Sequence, residues 1–247
     1  MTNVQAYQGS ELELFSNARN WKAYVARQID RYLVGRVVEP GAGVGSATVA
    51  FCGAGVTQWL CLEPDPDMAR QLADKISRGE LPEICQARCG TVADLADAGS
   101  FDAALYMDVL EHIEDDVAEL ERAALALAPG GRIVVLSPAH QWLFSPFDAA
   151  IGHFRRYRRS DAGRLTPPGF VLERADYLDS AGLALSLANR LFLRQSMPTL
   201  GQVLFWDRRV TPVSRVLDPV TGRRFGKSIL FVWRRVEAAA GVAGGAP

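Results

Sequence analysis

The sequence predicts an α/β fold, a doubly wound and mostly parallel sheet with helices on both faces. Three observations predict it. From Arg36 to Ser137 short apolar runs alternate with longer segments of helical periodicity. Glycine and proline punctuate the joins, as at Gly41, Pro66 and Gly130-Gly131. The 247 residues are enough for one well-buried domain.

The elements follow in order. Leu12, Leu14, Phe15, Trp21, Tyr24, Val25, Ile29, Tyr32 and Leu33 fit an amphipathic helix in one or two pieces. Val37-Val38 ends a strand, and residues 44–52 read as helix. Residues 57–62 (TQWLCL) read as a strand, and 66–77 as a helix with Pro66 in its first turn. Residues 83–88 and 101–107 are strands, and 115–128 a helix on which Asp115 and Asp116 cap or charge the start. Gly130-Gly131 leads into the strand RIVVLS. After Ser137 the alternation weakens into an aromatic, basic, turn-rich stretch. Residues 169–177 are a further strand, 183–220 are apolar with scattered arginines and are expected to be helical, and 228–233 (SILFVW) form the last strand. One domain is expected over 1–247: a helical lid at 1–34, a cofactor-binding core at 35–138, acceptor-side loops and helices at 139–227, the last strand at 228–236 and a flexible tail at 237–247.

Composition narrows the function classes. The chain is 49% hydrophobic and 22% charged, with a formal net charge of -1. That balance gives no footprint for nucleic acid or another anionic polymer. The opening MTNVQAYQGSELELF is too polar for a signal peptide, and no apolar run reaches the roughly 18 residues of a membrane span. A cytoplasmic protein is expected. Cys52, Cys61, Cys85 and Cys89 lack the paired spacing of a zinc site, so free thiols and no metal are expected.

The stretch VVEPGAGVGSATVAF places Gly41, Gly43 and Gly45 between the first core strand and a helix. In open parallel sheets ligands bind beyond the carboxyl ends of the strands, where the strand order reverses. Glycine there permits a close backbone approach. Glu63 ends the next strand, where a carboxylate can accept from both hydroxyls of a ribose. The dinucleotide pattern G-x-G-x-x-G is not met, because Ser46 occupies its third glycine position. Glu39, just before the loop, disfavours a pyrophosphate and favours an ammonium group. A ligand with a ribose at one end and an ammonium at the other is S-adenosylmethionine.

Five segments, VVEPGAGVG (37–45), CLEPDPDMA (61–69), CGTVADL (89–95), FDAALYMDVLEHI (101–113) and LAPGGRIVVLSP (127–138), together resemble class I S-adenosylmethionine-dependent methyltransferases of the small-molecule type 11/12 kind. The resemblance implies a Rossmann-like seven-stranded sheet with an antiparallel last strand. It implies that Glu39 holds the methionine amino group, that Gly41, Ala42 and Gly43 pass beside the cofactor, and that Glu63 binds the ribose. Pro64, Asp65 and Met68 would flank the adenine, with Met68 also packing into core. Thr91 and Val92 would meet the adenine edge; the family often has Asp where Thr91 stands. Asp108 and Val109 would approach the methionine moiety. FSNARNWKAY resembles a lid helix, with Asn20, Trp21 or Tyr24 closing over the cofactor.

Methyl transfer requires an aligned acceptor and, for a hydroxyl, a general base. The three histidines are His112, His140 and His153. His153 is the first choice of base and His140 the second; for each, a role in holding the loop stands beside catalysis. PAHxW and GHxRRY resemble segments of a methyltransferase subgroup, which puts His112, Trp142, Arg155, Arg156 and Tyr157 on the acceptor side. Arg155 and Arg156 would grip an anionic acceptor, or stand as solvated charges with Arg158 and Arg159. The expected product is S-adenosylhomocysteine, the partner a small organic acceptor, and the state a monomer or homodimer. An NAD(P)-dependent oxidoreductase and a non-catalytic cofactor-binding subunit remain as alternatives.

Overall fold

Seven strands form one sheet: β1 (Gly35–Pro40), β2 (Val56–Glu63), β3 (Cys85–Cys89), β4 (Phe101–Met107), β5 (Leu127–Pro138), β6 (Phe170–Leu178) and β7 (Ser228–Arg235). Their order is β3-β2-β1-β4-β5-β7-β6. β7 runs antiparallel to β5 and β6, and every other pairing is parallel. The computed structural model describes residues 14–95, 99–192 and 198–236, with backbone alone at 189–192. The first thirteen residues of the expected lid, Leu12 among them, and the expected tail at 237–247 lie outside the described residues.

The central strands are apolar on both faces because both faces are covered. Val37, Trp59, Leu105, Val134 and Leu230 point to one side. There they meet α1 (Arg19–Ile29) through Trp21, Val25 and Ile29, α2 (Ser46–Phe51) through Phe51, and α3 (Pro66–Ser77) through Leu72. Val38, Leu60, Tyr106, Val135 and Phe231 point to the other, against Leu120 and Ala123 of α4 (Asp116–Ala126). The chain continues through α5 (Pro146–Ala150), α6 (Ala162–Leu165), α7 (Ser180–Phe192), α8 (Leu200–Phe205) and α9 (Thr211–Val220). A π-helical turn, Trp206–Val210, joins α8 to α9. Among the described residues no helix is long and apolar enough to cross a membrane.

α3 falls where the sequence predicts it because both of its start signals operate. Asp65 accepts from the Asp67 and Met68 amides, and Pro66 fills the first position, where no amide partner is needed. The helix expected to reach 128 stops at Ala126, because Leu127 already pairs with Phe101 as the start of β5. The glycines at 130 and 131 lie within that strand rather than ahead of it.

Three buried aspartates fasten the later helices to the rest. Asp207 accepts from the Asn20 side chain and the Asn20 and Trp21 amides, which ties the π turn to α1. Asp179 accepts from Trp206 Nε1 at 2.7 Å and Ser214 Oγ at 2.5 Å. Asp218 accepts from Tyr24 Oη at 2.7 Å and from the Asp179 and Ser180 amides. Asp218→Ala leaves these three donors unmatched in a fully buried place. It should destabilise the fold by about 3 kcal/mol and lower the melting temperature by roughly 10 °C, read by thermal denaturation of the full chain.

Candidate active site

β1 and β4 lie side by side, and their connections run to opposite sides of the sheet, so a crevice opens at their carboxyl ends. The glycine loop after β1 forms its floor. Gly41, Gly43 and Gly45 have φ of +66°, +55° and +80°, which side chains rarely adopt. A Cβ on Gly41 would stand 2.8 Å from the Val109 methyls, and one on Gly45 2.7 Å from Leu72. The loop is therefore pressed between β4's end and α3.

Glu63 holds the loop in place. Its Oε2 accepts from the Gly43 amide at 2.8 Å and its Oε1 from the Asp65 amide at 3.0 Å. Burial raises its carboxyl, and these two amides oppose the rise. Each oxygen accepts one of these hydrogen bonds and has a second lone pair, so the carboxylate fits a pair of adjacent hydroxyls. Ala42 is buried beside it, its amide bonded to Leu62 O. Glu39 lies beneath the loop at 2% exposure, its Oε2 accepting from Thr48 Oγ1 at 2.5 Å and Trp59 Nε1 at 2.7 Å. Burial pushes its carboxyl up to about 7 against those two donors. An acid so placed is suited to a cationic group above the loop and unsuited to an anion.

On the far side of Glu63 the picture is mixed. Asp65 is committed to the α3 cap, Pro64 is exposed and Met68 is half-buried. Val92 is buried against the sheet. Thr91 is exposed, and its amide and hydroxyl both donate to Asp94 Oδ2, which holds that carboxyl below its ordinary range. The side chains of Asp65 and Thr91 thus serve turns, and what they offer a ring is the backbone they shape.

Asp108 follows β4 in a left-handed conformation, φ +53°, its amide bonded to Leu136 O. The residue is exposed. The walls around it still exclude enough solvent to raise the carboxyl to about 6, against the pull of His153, Lys227 and Lys22. Val109 is half-buried beside Gly41.

The acceptor side is built around Asp148. This carboxylate, 1% exposed, accepts from Arg156 Nε at 2.8 Å, Arg156 Nη2 at 2.9 Å, Ser145 Oγ at 2.7 Å and the Ser145 amide. Burial works against its charge, but His153 and Arg156 outweigh it and hold the carboxyl well below the ordinary range. His153 Nδ1 lies 3.0 Å from Asp148 Oδ1, so that nitrogen carries the proton and Nε2 the lone pair in the neutral ring. Nε2 stands 3.9 Å from Glu111 Oε1, and the ring meets His112 edge-on at 4.5 Å. Burial, then His153, pushes His112 down to about 4. His140 has φ +65°, stacks on Tyr177 at 4.6 Å beside Trp142, and is also depressed by burial.

Several of the expected site residues have partners within the chain. Arg156 is committed to Asp148, and Arg155 to Asp116 and the Glu114 carbonyl. Tyr157 is 1% exposed and donates to Leu110 O and Asp116. These contacts fix the three side chains against the loop, so an acceptor would meet them already oriented. Arg159, expected to be solvated, reaches Asp176 and the Arg223 carbonyl. Trp21 and Tyr24 pack in the core and Asn20 binds Asp207. Trp142 is 42% exposed and remains accessible. Sequence reasoning missed Glu111, Asp148, Lys22 and Lys227. Only Asp148 left a local signal, five positions before His153 across a short helix.

Residues 38–135 match a family profile described as a methyltransferase domain. Among curated proteins the chain is 30% identical over 107 residues to a ubiquinone biosynthesis O-methyltransferase of Rhodopseudomonas palustris (strain BisB18), 43% of this chain and 41% of that one. It is 36% identical over 117 residues to the Xanthomonas oryzae pv. oryzae (strain PXO99A) protein of the same description, 44% of this chain and 45% of that one. The chain thus spans less than half the length of the curated relatives it matches. Among solved structures it resembles a geranyl diphosphate methyltransferase in complex with SAM, with TM-score 0.61 at 13% identity over 95% of this chain and 93% of that one. It also resembles a complex between the Haloferax volcanii Trm112 methyltransferase activator and a methyltransferase, with TM-score 0.62 at 18% identity over 93% and 95% of the chains. At these identities the likeness is one of fold.

The buried Glu39 makes stability depend on pH. Its folded value, about 7, lies above the ordinary 4.5. The folded state therefore holds a proton that the unfolded state releases, and the contribution is complete below pH 4.5 and lost as pH rises through about 7. Glu39→Gln keeps an oxygen for Thr48 and Trp59 without the charge. Relative to the parent without ligand, it should gain on the order of 2 kcal/mol between pH 5 and pH 8, read by urea unfolding at both values.

Proposed function

We propose that this chain, whose residues 38–135 are a methyltransferase domain of the class I, S-adenosylmethionine-dependent family, transfers a methyl group to a hydroxyl of a small organic acceptor. The observation that carries the reading is the Glu63 carboxylate, fixed by the Gly43 and Asp65 amides at the crevice between β1 and β4. It is suited to the two hydroxyls of a ribose. Glu39 beneath the loop favours the ammonium end of the same molecule and weighs against a dinucleotide's pyrophosphate. When bound, the cofactor supplies a methyl on a cationic sulfur, a good electrophile with a neutral leaving group.

The chain's own residues then position and activate. The glycine loop and Val109 bound the near wall, Asp108 the end of β4. His153, oriented by Asp148, is the group that activates the acceptor, with its Nε2 turned away from Asp148 and towards Glu111. With the cofactor bound, the acceptor oxygen would bond to the methyl carbon as the S–C bond breaks, sulfur would keep that bond's electron pair, and the hydroxyl proton would pass to the His153 Nε2 lone pair. Positioning and exclusion of water carry most of the acceleration. A hydroxyl acceptor is supported by the O-methyltransferase relatives, an aromatic or apolar one by the apolar helices α7 to α9. In this reading the protein works in the cytoplasm, as a monomer or homodimer, on small molecules and not on nucleic acid.

Calorimetric titration with S-adenosylhomocysteine should show saturable binding, and NADH none. Glu63→Ala should weaken that binding at least tenfold, about 1.4 kcal/mol. His153→Ala should leave it within twofold and lower turnover of an identified acceptor by about 100-fold. Binding of NADH instead, or full turnover by His153→Ala, refutes the corresponding assignment.

A further inference from the structure

Glu111, in the turn after β4, is wholly buried. Its Oε2 accepts from Ser137 Oγ at 2.9 Å, and its Oε1 has no hydrogen-bond partner. A buried carboxylate oxygen left so is costly unless something positive or protic meets it. His153 Nε2 stands 3.9 Å from it, too long for a hydrogen bond. His112 completes a cluster in which one ligand-type atom from each of the three residues lies within 4.8 Å of the others.

Each of the three is also fixed from behind. Ser137 holds Glu111, Asp148 holds His153 through Nδ1, and the carbonyls of Gly152 and Ile151 hold the His112 ring. Outer partners of this kind orient ligands around a metal. Asp108 adds a nearby negative charge, while Lys227 and Lys22 oppose it and Arg156 is matched by Asp148.

We infer that Glu111, His112 and His153 form a divalent-metal site on the acceptor side of the crevice, a two-histidine, one-carboxylate set that leaves coordination positions for an acceptor oxygen. The inference deepens the methyltransferase reading and rests on it for its role, though not for its existence. Imidazole with carboxylate suits Zn²⁺, Co²⁺, Fe²⁺ or Mn²⁺ better than Ca²⁺. Bonds of about 2.1 Å around a tetrahedral ion put ligand atoms about 3.4 Å apart, so closure requires the side chains to draw in by roughly 1 Å. A hydroxyl bound to such an ion loses its proton to solvent at neutral pH and attacks as the oxyanion. His153 then activates the acceptor through the ion rather than by taking the proton itself. The substrate class follows: an acceptor whose hydroxyl, alone or beside a second oxygen, can bind a cation.

The test uses the full chain, freed of metal by chelator and titrated with Co²⁺, followed by calorimetry and visible absorption. One Co²⁺ per chain is expected, with a ligand-field band. Glu111→Gln, which keeps a partner for Ser137, and His112→Gln should each weaken Co²⁺ binding at least tenfold. Cys89→Ser, which removes an exposed thiol, should leave it unchanged. S-adenosylhomocysteine binding should stay within twofold in all three variants, which also reports that they are folded. No stoichiometric Co²⁺ binding, or binding that Glu111→Gln leaves intact, overturns the metal site while the cofactor pocket stands. Loss of S-adenosylhomocysteine binding in the parent chain overturns the methyltransferase reading separately.

Discussion

Asp218 sits in α9 with no exposed surface, and it accepts a hydroxyl from α1 and two amides from the start of α7. A carboxylate in that position has no water to stabilise it, so the donors must be there and must stay. The same requirement recurs across the molecule. Asp207 fixes the π turn to α1, Asp116 gathers Arg155, Arg164 and Tyr157 under α4, and Asp148 gathers Arg156, His153 and Ser145. The sheet is held by apolar burial, which is forgiving of exact placement. What lies outside the sheet is held by buried acids, which are not.

Most of these acids have donors for both oxygens, and the departures lie along the crevice. Glu39 takes its close side-chain hydrogen bonds, from Thr48 and Trp59, on one oxygen, and burial lifts its carboxyl to about 7. Glu63 has an amide on each oxygen and capacity left over. Glu111 has an oxygen with nothing on it. Asp108 keeps a left-handed backbone and is exposed. The structural acids are matched on both oxygens, whereas Glu39 and Glu111 each take their side-chain donors on one oxygen and Glu63 keeps spare lone pairs beside the glycine loop.

The cofactor half was legible because its signals are local. A glycine forced to positive φ, an acid ending a strand and a proline after a capping aspartate each act within a few residues, and Glu39, Gly41, Gly43, Glu63 and α3 were read from them. The acceptor half was not, because its contacts join distant parts of the chain. Asn20 meets Asp207, and Glu111 meets His153, through packing that no spacing announces. The helical pattern of residues 19–29 is the same whether Trp21 and Tyr24 cover a cofactor or fill the core, and only the sheet behind them decides. RRYRR reads as free charge until Asp148, Asp116 and Asp176 are seen beside it. Cysteine spacing is a local code, whereas the Glu111-His112 pair meets His153 only through the fold, 41 positions later.

Asp148 ties these threads together. Arg156 keeps it ionised, and an ionised Asp148 requires the proton of His153 on Nδ1. The Nε2 lone pair is then settled by the fold before any substrate arrives, and it is directed towards Glu111. His140 lacks this arrangement. Its ring is stacked on Tyr177, and no carboxylate orients it. A proton or an ion reaching His153 would meet the same lone pair in the same place, because an arginine three positions along the chain holds the carboxylate that fixes the other side of the ring.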